Sequence, residues 1–184
     1  MKIAIGITGA SGAMYARLLM QACAKHPNQF QEVSVVFSSN AKEVWKHELQ
    51  KNIDTYGFTE YAIDDFYAPF ASGSAHYDAL IVCPCSMGTM GKIAHGIADN
   101  LITRSADVML KERKKLILVI RETPYSLIHI KNMELITLAG GIICPASPSM
   151  YSKPQTIEDA CNTVIHRVLD LLHITQNTYR WGTL

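Results

Sequence analysis

The sequence has no excess of charge of either sign: 17 Lys and Arg against 16 Asp and Glu leave +1 over 184 residues. Non-specific binding to nucleic acid needs a general basic excess, so that class is excluded and any anion site must be local. Cysteine never takes the paired spacing of a zinc or redox site, since Cys23, Cys83, Cys85, Cys144 and Cys161 are odd in number and include no C-x-x-C. Cys83 and Cys85, two apart on an expected strand, would share one face, where small buried side chains are the simpler reading. The seven histidines form no H-x-x-x-H or H-E-x-x-H arrangement, Asp64-Asp65 has no second acidic motif, and no G-x-S-x-G elbow occurs. A metal-bound diphosphate site and a hydrolase nucleophile are therefore both disfavoured.

No stretch approaches the roughly 18 apolar residues of a membrane span. Lys2 and the apolar run before Ala10 imitate a signal peptide, but Thr8 and Gly9 break the run and Arg17 follows inside a helical pattern. The expectation is a soluble, reduced, cytoplasmic protein with no membrane partner. At 48% hydrophobic and 18% charged, 184 residues can close one sizeable core, so residues 1–184 read as a single domain.

Short β-rich runs alternate with longer helical patterns. "KIAIGI" precedes "AMYARLLMQACAK", "VSVVF" precedes "AKEVWKHELQK", and "ALIVCPC" precedes "MGTMGKIAHGIADNLITRSADVML". "KLILVI" then leads to "PYSLIHIKNMELITLA", and "GIICPA" to "IEDACNTVIHRVLDLLHI". Five such units predict an α/β fold with a mainly parallel sheet covered by helices on both faces. Thr123-Pro124 reads as a helix start, Gly140-Gly141 as its stop, and Thr156 with Asp159 as a capping box. Residues 52–77, weakly periodic and holding Pro69 and "SGS", read as an excursion near the site.

In open α/β sheets the ligand crevice lies beyond the carboxyl ends of the strands. Those ends lead into "TGASGA", "SSNA", "CSMGT", "RETP" and "ASPSMY". The first is G-x-x-G-x-x-G rather than the dinucleotide G-x-G-x-x-G, and suits a phosphate cradle or a tight turn packed on glycines equally well. Ser38, Ser39, Ser86 and Thr89 offer hydroxyls where several loops converge, although helix capping is the plainer reading of each. Arg121 and Glu122 emerge directly from an apolar strand: the first can bind phosphate or a carbonyl edge, and the second can move protons. A structural Arg–Glu pair is the alternative. Lys111 lies in an ordinary charged helix end, Arg167 among apolar residues of the last helix, and Tyr151 in a loop.

Taken together, these stretches resemble the flavin prenyltransferase family of the UbiX type. The likeness is carried by "GITGASGA", "ASGS" at 71–74, "CPCSMGT" at 83–89, and the block from Ala98 to Met133. It continues through "PASPSMYSKPQTIED", "RVLDLL" and "RWG" at 180–182. The resemblance implies a Rossmann-like doubly wound fold that takes reduced FMN and no metal. It implies transfer of a dimethylallyl group from dimethylallyl monophosphate to the flavin N5 and C6. The prenylated FMN would serve a partner decarboxylase of the UbiD type, and the enzyme would be a homododecamer. On matching positions, Gly9, Ala10, Ser11, Ser38, Ser86, Met87, Gly88, Thr89 and Arg121 would contact FMN. Lys111, Arg121, Tyr151 and Arg167 would hold the prenyl phosphate, Lys111 reaching across a subunit contact. Ser11, Glu48 and Glu122 would be catalytic, and Arg104 and Trp181 match positions near the site. Ser39 departs from a Lys found in many relatives, and Met150 from an aromatic. An FMN-dependent decarboxylase, or a decarboxylase subunit, on the same fold is the alternative; the decarboxylase would call for a catalytic His near the first strand ends and a P-A-M-N-like loop, where "CPASPSMY" stands.

Overall fold

The computed structural model describes residues 1–180 and 182. It contains one six-stranded sheet in the order β3-β2-β1-β4-β5-β6. The strands are β1 (Lys2–Ile7), β2 (Glu32–Phe37), β3 (Thr59–Tyr61), β4 (Ala79–Cys85), β5 (Lys115–Ile120) and β6 (Ile142–Ile143). Every pairing is parallel, with Gly6 opposite Val36 on one side and Val82 on the other. The helices are α1 (Ala13–Lys25), α2 (Ser39–Leu49), α3 (Met87–Ala94), α4 (Leu101–Lys111), α5 (Leu127–Leu138) and α6 (Ile157–Leu171). This strand order reverses direction between β1 and β4, which puts the switch-point crevice at their carboxyl ends.

Alternation along the strands makes two cores. Ile3, Ile5, Ile7, Val33, Val35, Phe37, Ile81, Ile117 and Val119 point to one face and pack against α1, α2 and α6. Ala4, Val36, Leu80, Val82, Leu116, Leu118 and Ile120 point to the other, under α3, α4 and α5. Burial on both faces is why these strands are apolar without a polar phase. Cys83 and Cys85 do not share a face: Cys83 joins the first core and Cys85 the second. An extra residue between Val82 and Cys85 shifts the register against β5, a bulge that turns the intervening side chains over. All five cysteines are free and buried, and burial pushes the Cys23 and Cys85 thiols up to about 12.

Three boundaries differ from the sequence pattern. The long helical run after β4 is two helices, because Asn100 and Thr103 cap each other at the start of α4 and Gly96 takes a φ of +68° just before. Helix α5 starts at Leu127, not at Thr123-Pro124, because Ser126 and His129 form the capping box there. Strand β3 lies inside the 52–77 excursion, and its three residues are too few to show a period. The stop at Gly140, with φ +95°, and the Thr156–Asp159 box are where the sequence places them.

Candidate functional site at the switch point

The loops after β1, β2 and β4 are tied together at the carboxyl edge. Ser38 N–H donates to the Ile7 carbonyl at 2.9 Å. Thr8 Oγ donates to the Pro84 carbonyl at 2.7 Å and accepts from Ser86 N–H at 2.8 Å. Ser38 and Ser86 then cap α2 and α3, accepting from Ala41 N–H at 3.1 Å and Thr89 N–H at 3.2 Å. The capping reading of both serines is therefore realised, and it leaves the N-termini of α2 and α3 facing the crevice.

The glycines of the first loop have packing reasons of their own. A Cβ on Gly9 would stand 2.5 Å from the Asn40 Cβ, and one on Gly6 would stand 3.0 Å from the Ile102 side chain. Gly12 has a φ of +117°, a backbone that L side chains rarely adopt. Gly88, in contrast, has nothing within 4 Å of where a Cβ would be, so the open side of α3 is there.

Glu48, near the end of α2, reaches the N-terminus of α1. Its carboxylate accepts from Gly12 N–H at 3.0 and 2.9 Å and from Ala13 N–H at 2.8 Å. Burial pushes that carboxyl up, but hydrogen bonds from Ser11, Gly12 and Ala13 and the Arg121 charge outweigh it and hold it below its ordinary value. Nothing in the local pattern of α2 singles out Glu48; only the family likeness does.

Arg121 follows β5 and its Nε is buried without an acceptor. It lines a cavity of about 390 Å³ with Ile120, Glu122, Thr123, Ala146 and Ser147. Glu122 accepts from Thr123 N–H at 3.0 Å. Beside Arg121, burial and the neighbouring Cys161 and Cys83 push the Tyr15 phenol above its ordinary value, the Arg121 charge opposing them. Tyr15 Oη donates to the Ala146 carbonyl at 3.4 Å, which joins α1 to the loop after β6. Sequence reasoning missed Tyr15 because, in an amphipathic helix, it reads as core.

Arg167 lines a second cavity, about 330 Å³, with Cys144, Pro145 and Ser147; the shared Ser147 makes the two cavities neighbours. Tyr151 lies in the same β6–α6 connection and is 67% exposed. Lys111 is not brought to this edge. It ends α4, pairs with Glu112, and precedes β5 at its amino end. Arg121 lies six residues beyond Lys115, where β5 begins, roughly 20 Å at strand rise. The "ASGS" part of the excursion also lies there, since a Cβ on Gly73 would meet the Glu112 carboxylate. Arg104 donates to the Ala71 carbonyl at 3.1 Å and pairs with Asp107 at 2.9 Å. Trp181 lies outside the described residues.

A flat, phosphate-bearing ligand fits these residues. Arg121 Nε lacks an acceptor, the two capped helix N-termini face the crevice, and Gly88 leaves space. Residues 1–179 match the Flavoprotein family. The flavin prenyltransferase UbiX of Methanocaldococcus jannaschii is 43% identical over 188 residues, covering 100% of both chains. The chain belongs to the flavin prenyltransferase family. A dodecameric FMN-dependent UbiX-like decarboxylase from Escherichia coli O157:H7 superposes with a TM-score of 0.93 at 38% identity, covering 99% of this chain and 100% of that one. AnUbiX (PadA1), solved in complex with FMN and dimethylallyl pyrophosphate, superposes with a TM-score of 0.87 at 38% identity, covering 98% of each chain. No described helix is long and apolar enough to cross a membrane.

Proposed function

We propose that this chain is a flavin prenyltransferase that joins a dimethylallyl group from dimethylallyl monophosphate to N5 and C6 of reduced FMN. The observation that carries the reading is the joining of two cavities at Ser147, one holding Arg121 and Glu122 and the other Arg167. One cavity suits the flavin edge, and the other suits a prenyl phosphate beside it.

Glu48 decides where the flavin phosphate goes. Its carboxylate already satisfies the first N–H groups of α1, so a phosphate there would meet a like charge. The remaining donors are the N-termini of α2 and α3, with Ser38, Ser86, Met87, Gly88 and Thr89, and the Arg121 guanidinium. Gly9, Ala10 and Ser11 then lie under the ring, and Ser11, hydrogen-bonded to Glu48, is placed to hold a proton near N5. Reduced FMN supplies the nucleophilic nitrogen and ring carbon.

The chain's own groups do the rest. A leaving phosphate needs cations and a hydroxyl around it, which Arg167, Arg121 and Tyr151 supply, with Lys111 contributed by a second copy. That set of cations works without a metal. Glu122, at the mouth of β5, takes the proton lost when the second bond closes. The whole chain acts as one domain in a homododecamer in the cytoplasm, and its product serves a UbiD-type decarboxylase.

The decarboxylase reading would call for a histidine at the strand ends, and the residues lining the Arg121 cavity include none. The deciding experiment incubates the protein with reduced FMN and dimethylallyl monophosphate without added metal, and weighs the flavin by mass spectrometry. The expected result is a flavin heavier by one dimethylallyl group. An unshifted flavin, beside an active control enzyme, overturns the reading.

A further inference from the structure

Thr8 ends the first strand at the switch point and is only 3% exposed. The extra residue in β4 moves the register on by one, so a parallel ladder with β1 resumed past it would have Thr8 N–H bonding the Pro84 carbonyl and Ser86 N–H bonding the Thr8 carbonyl. The first bond is present at 3.3 Å. The second is replaced: Ser86 N–H goes to the Thr8 hydroxyl instead, at 2.8 Å. The hydroxyl in turn donates to the Pro84 carbonyl at 2.7 Å. One side chain therefore stands in for a main-chain acceptor, which releases the Thr8 backbone to turn away from the ladder into Gly9, Ala10 and Ser11.

The substitution has a cause in β4. Its bulge between Val82 and Cys85 breaks the register where the two loops must part, and Pro84 has no N–H to offer. A hydroxyl has one donor and spare acceptor capacity, so it can satisfy a carbonyl and an N–H together. The two loops joined this way are the one that carries Ser11 and the one that opens α3 with Ser86 to Thr89.

We propose that Thr8 is a positioning residue for FMN, fixing the spacing between the Ser11 loop and the Ser86 N-cap through its hydroxyl. The proposal rests on the flavin prenyltransferase reading. Thr8 touches no reacting atom; it acts by holding two loops in the arrangement that FMN needs, so that binding does not have to order them.

The test compares Thr8→Val, which keeps the shape and removes both bonds, with Thr8→Ser, which keeps the hydroxyl. The measurements are FMN affinity by fluorescence titration, the visible circular dichroism of bound FMN, and kcat and KM for dimethylallyl monophosphate. Thr8→Val is expected to weaken FMN binding by roughly tenfold or more, since both hydroxyl bonds are lost and Ser86 N–H is left without its acceptor. It should also change the dichroism band and lower kcat, leaving the KM of the donor within about twofold because Tyr151 lies in the β6–α6 connection and Arg167 in α6, away from the two loops that Thr8 joins. Thr8→Ser should restore FMN affinity and spectrum. If Thr8→Val does not fold, Thr8→Cys, with a weak S–H donor, takes its place with the same expected direction. Wild-type affinity and spectrum in the Val or Cys variant overturn the proposal, as does a Ser variant as impaired as Val. A wild-type protein that binds FMN but forms no adduct overturns the transferase reading alone, and the affinity and dichroism comparison still decides on Thr8.

Discussion

Removing the Glu48 carboxylate should cost both stability and activity, and the two losses can be read apart. Three acceptor contacts to Gly12 and Ala13 N–H groups disappear in Glu48→Ala. That loss should cost roughly 1 kcal/mol, the middle of the range for a helix cap, because the carboxylate is exposed enough for solvent to take part of the load. Glu48→Gln keeps one acceptor and loses the charge at the helix N-terminus, about half as much. For a chain of this size, 1 kcal/mol lowers the melting temperature by about 2–4 °C. The sign of the pH dependence follows from the depressed folded-state pKa of Glu48. Its contribution is fully present above the unfolded-state value and disappears as pH falls through the folded one. Thermal melts of wild type and Glu48→Gln at pH 7 and at successively lower pH should therefore converge on acidification. A gap that stays constant or widens would refute the reasoning that the charged carboxylate caps α1. Prenyl transfer at pH 7, with FMN binding measured separately, should fall further than the small stability loss accounts for.

Gly9→Ala drives a Cβ to within 2.5 Å of the Asn40 Cβ and should destabilise by about 1–3 kcal/mol. Adding Asn40→Gly should recover most of this in denaturant melts, and no recovery would show that Gly9 is required for another reason. Glu122→Gln should bind FMN like wild type and stall at proton loss, seen as accumulation of a singly bonded adduct by mass spectrometry; full turnover would remove Glu122 from the proton role. Lys111→Ala and Arg167→Ala should each be inactive, yet regain about a quarter of wild-type activity when co-assembled in equal amounts, since half of the shared sites then draw on unlike copies and half of those hold both intact residues. Absence of any recovery would place Lys111 outside the shared site.

The alternation of apolar strands with helical runs was enough to predict the layers, because strands buried on both faces leave a strong and simple signal. What the pattern missed was set by local hydrogen bonds. Ser126 and His129 move the start of α5 past Pro124, and Asn100 with Thr103 divides the long run after β4. Cys83 and Cys85 were expected on one face, and a single extra residue in β4 separates them. Arg121 and Glu122 were legible because a charge at the end of an apolar strand is unusual. Glu48 was not, since its partners Gly12 and Ala13 lie 36 and 35 residues away and no periodicity records a cap supplied by another helix. Thr8 left only the trace of a hydroxyl ending an apolar strand, and its meaning depends on Pro84, 76 residues further on.

The position of Lys111 and the surface of α5 have one explanation in common. Lys111 stands at the amino end of β5 and Arg121 at its carboxyl end, so a lysine side chain cannot bring the two charges to one phosphate within a chain. Helix α5 leaves Leu127, Ile128, Ile130 and Leu138 exposed, Leu138 at 79%. An apolar helix face of this extent normally meets a partner. Assembly would cover that face and, by the same act, could deliver Lys111 from one copy to Arg167 of another. The prenyl-phosphate site would then be complete only where subunits meet, which couples the burial of an apolar helix to the presence of the cation that helps phosphate leave. A monomer held at high dilution should accordingly keep its FMN affinity more readily than its turnover, because Ser38, Ser86 and Arg121 all belong to one chain and the proposed Lys111 contact would need a second.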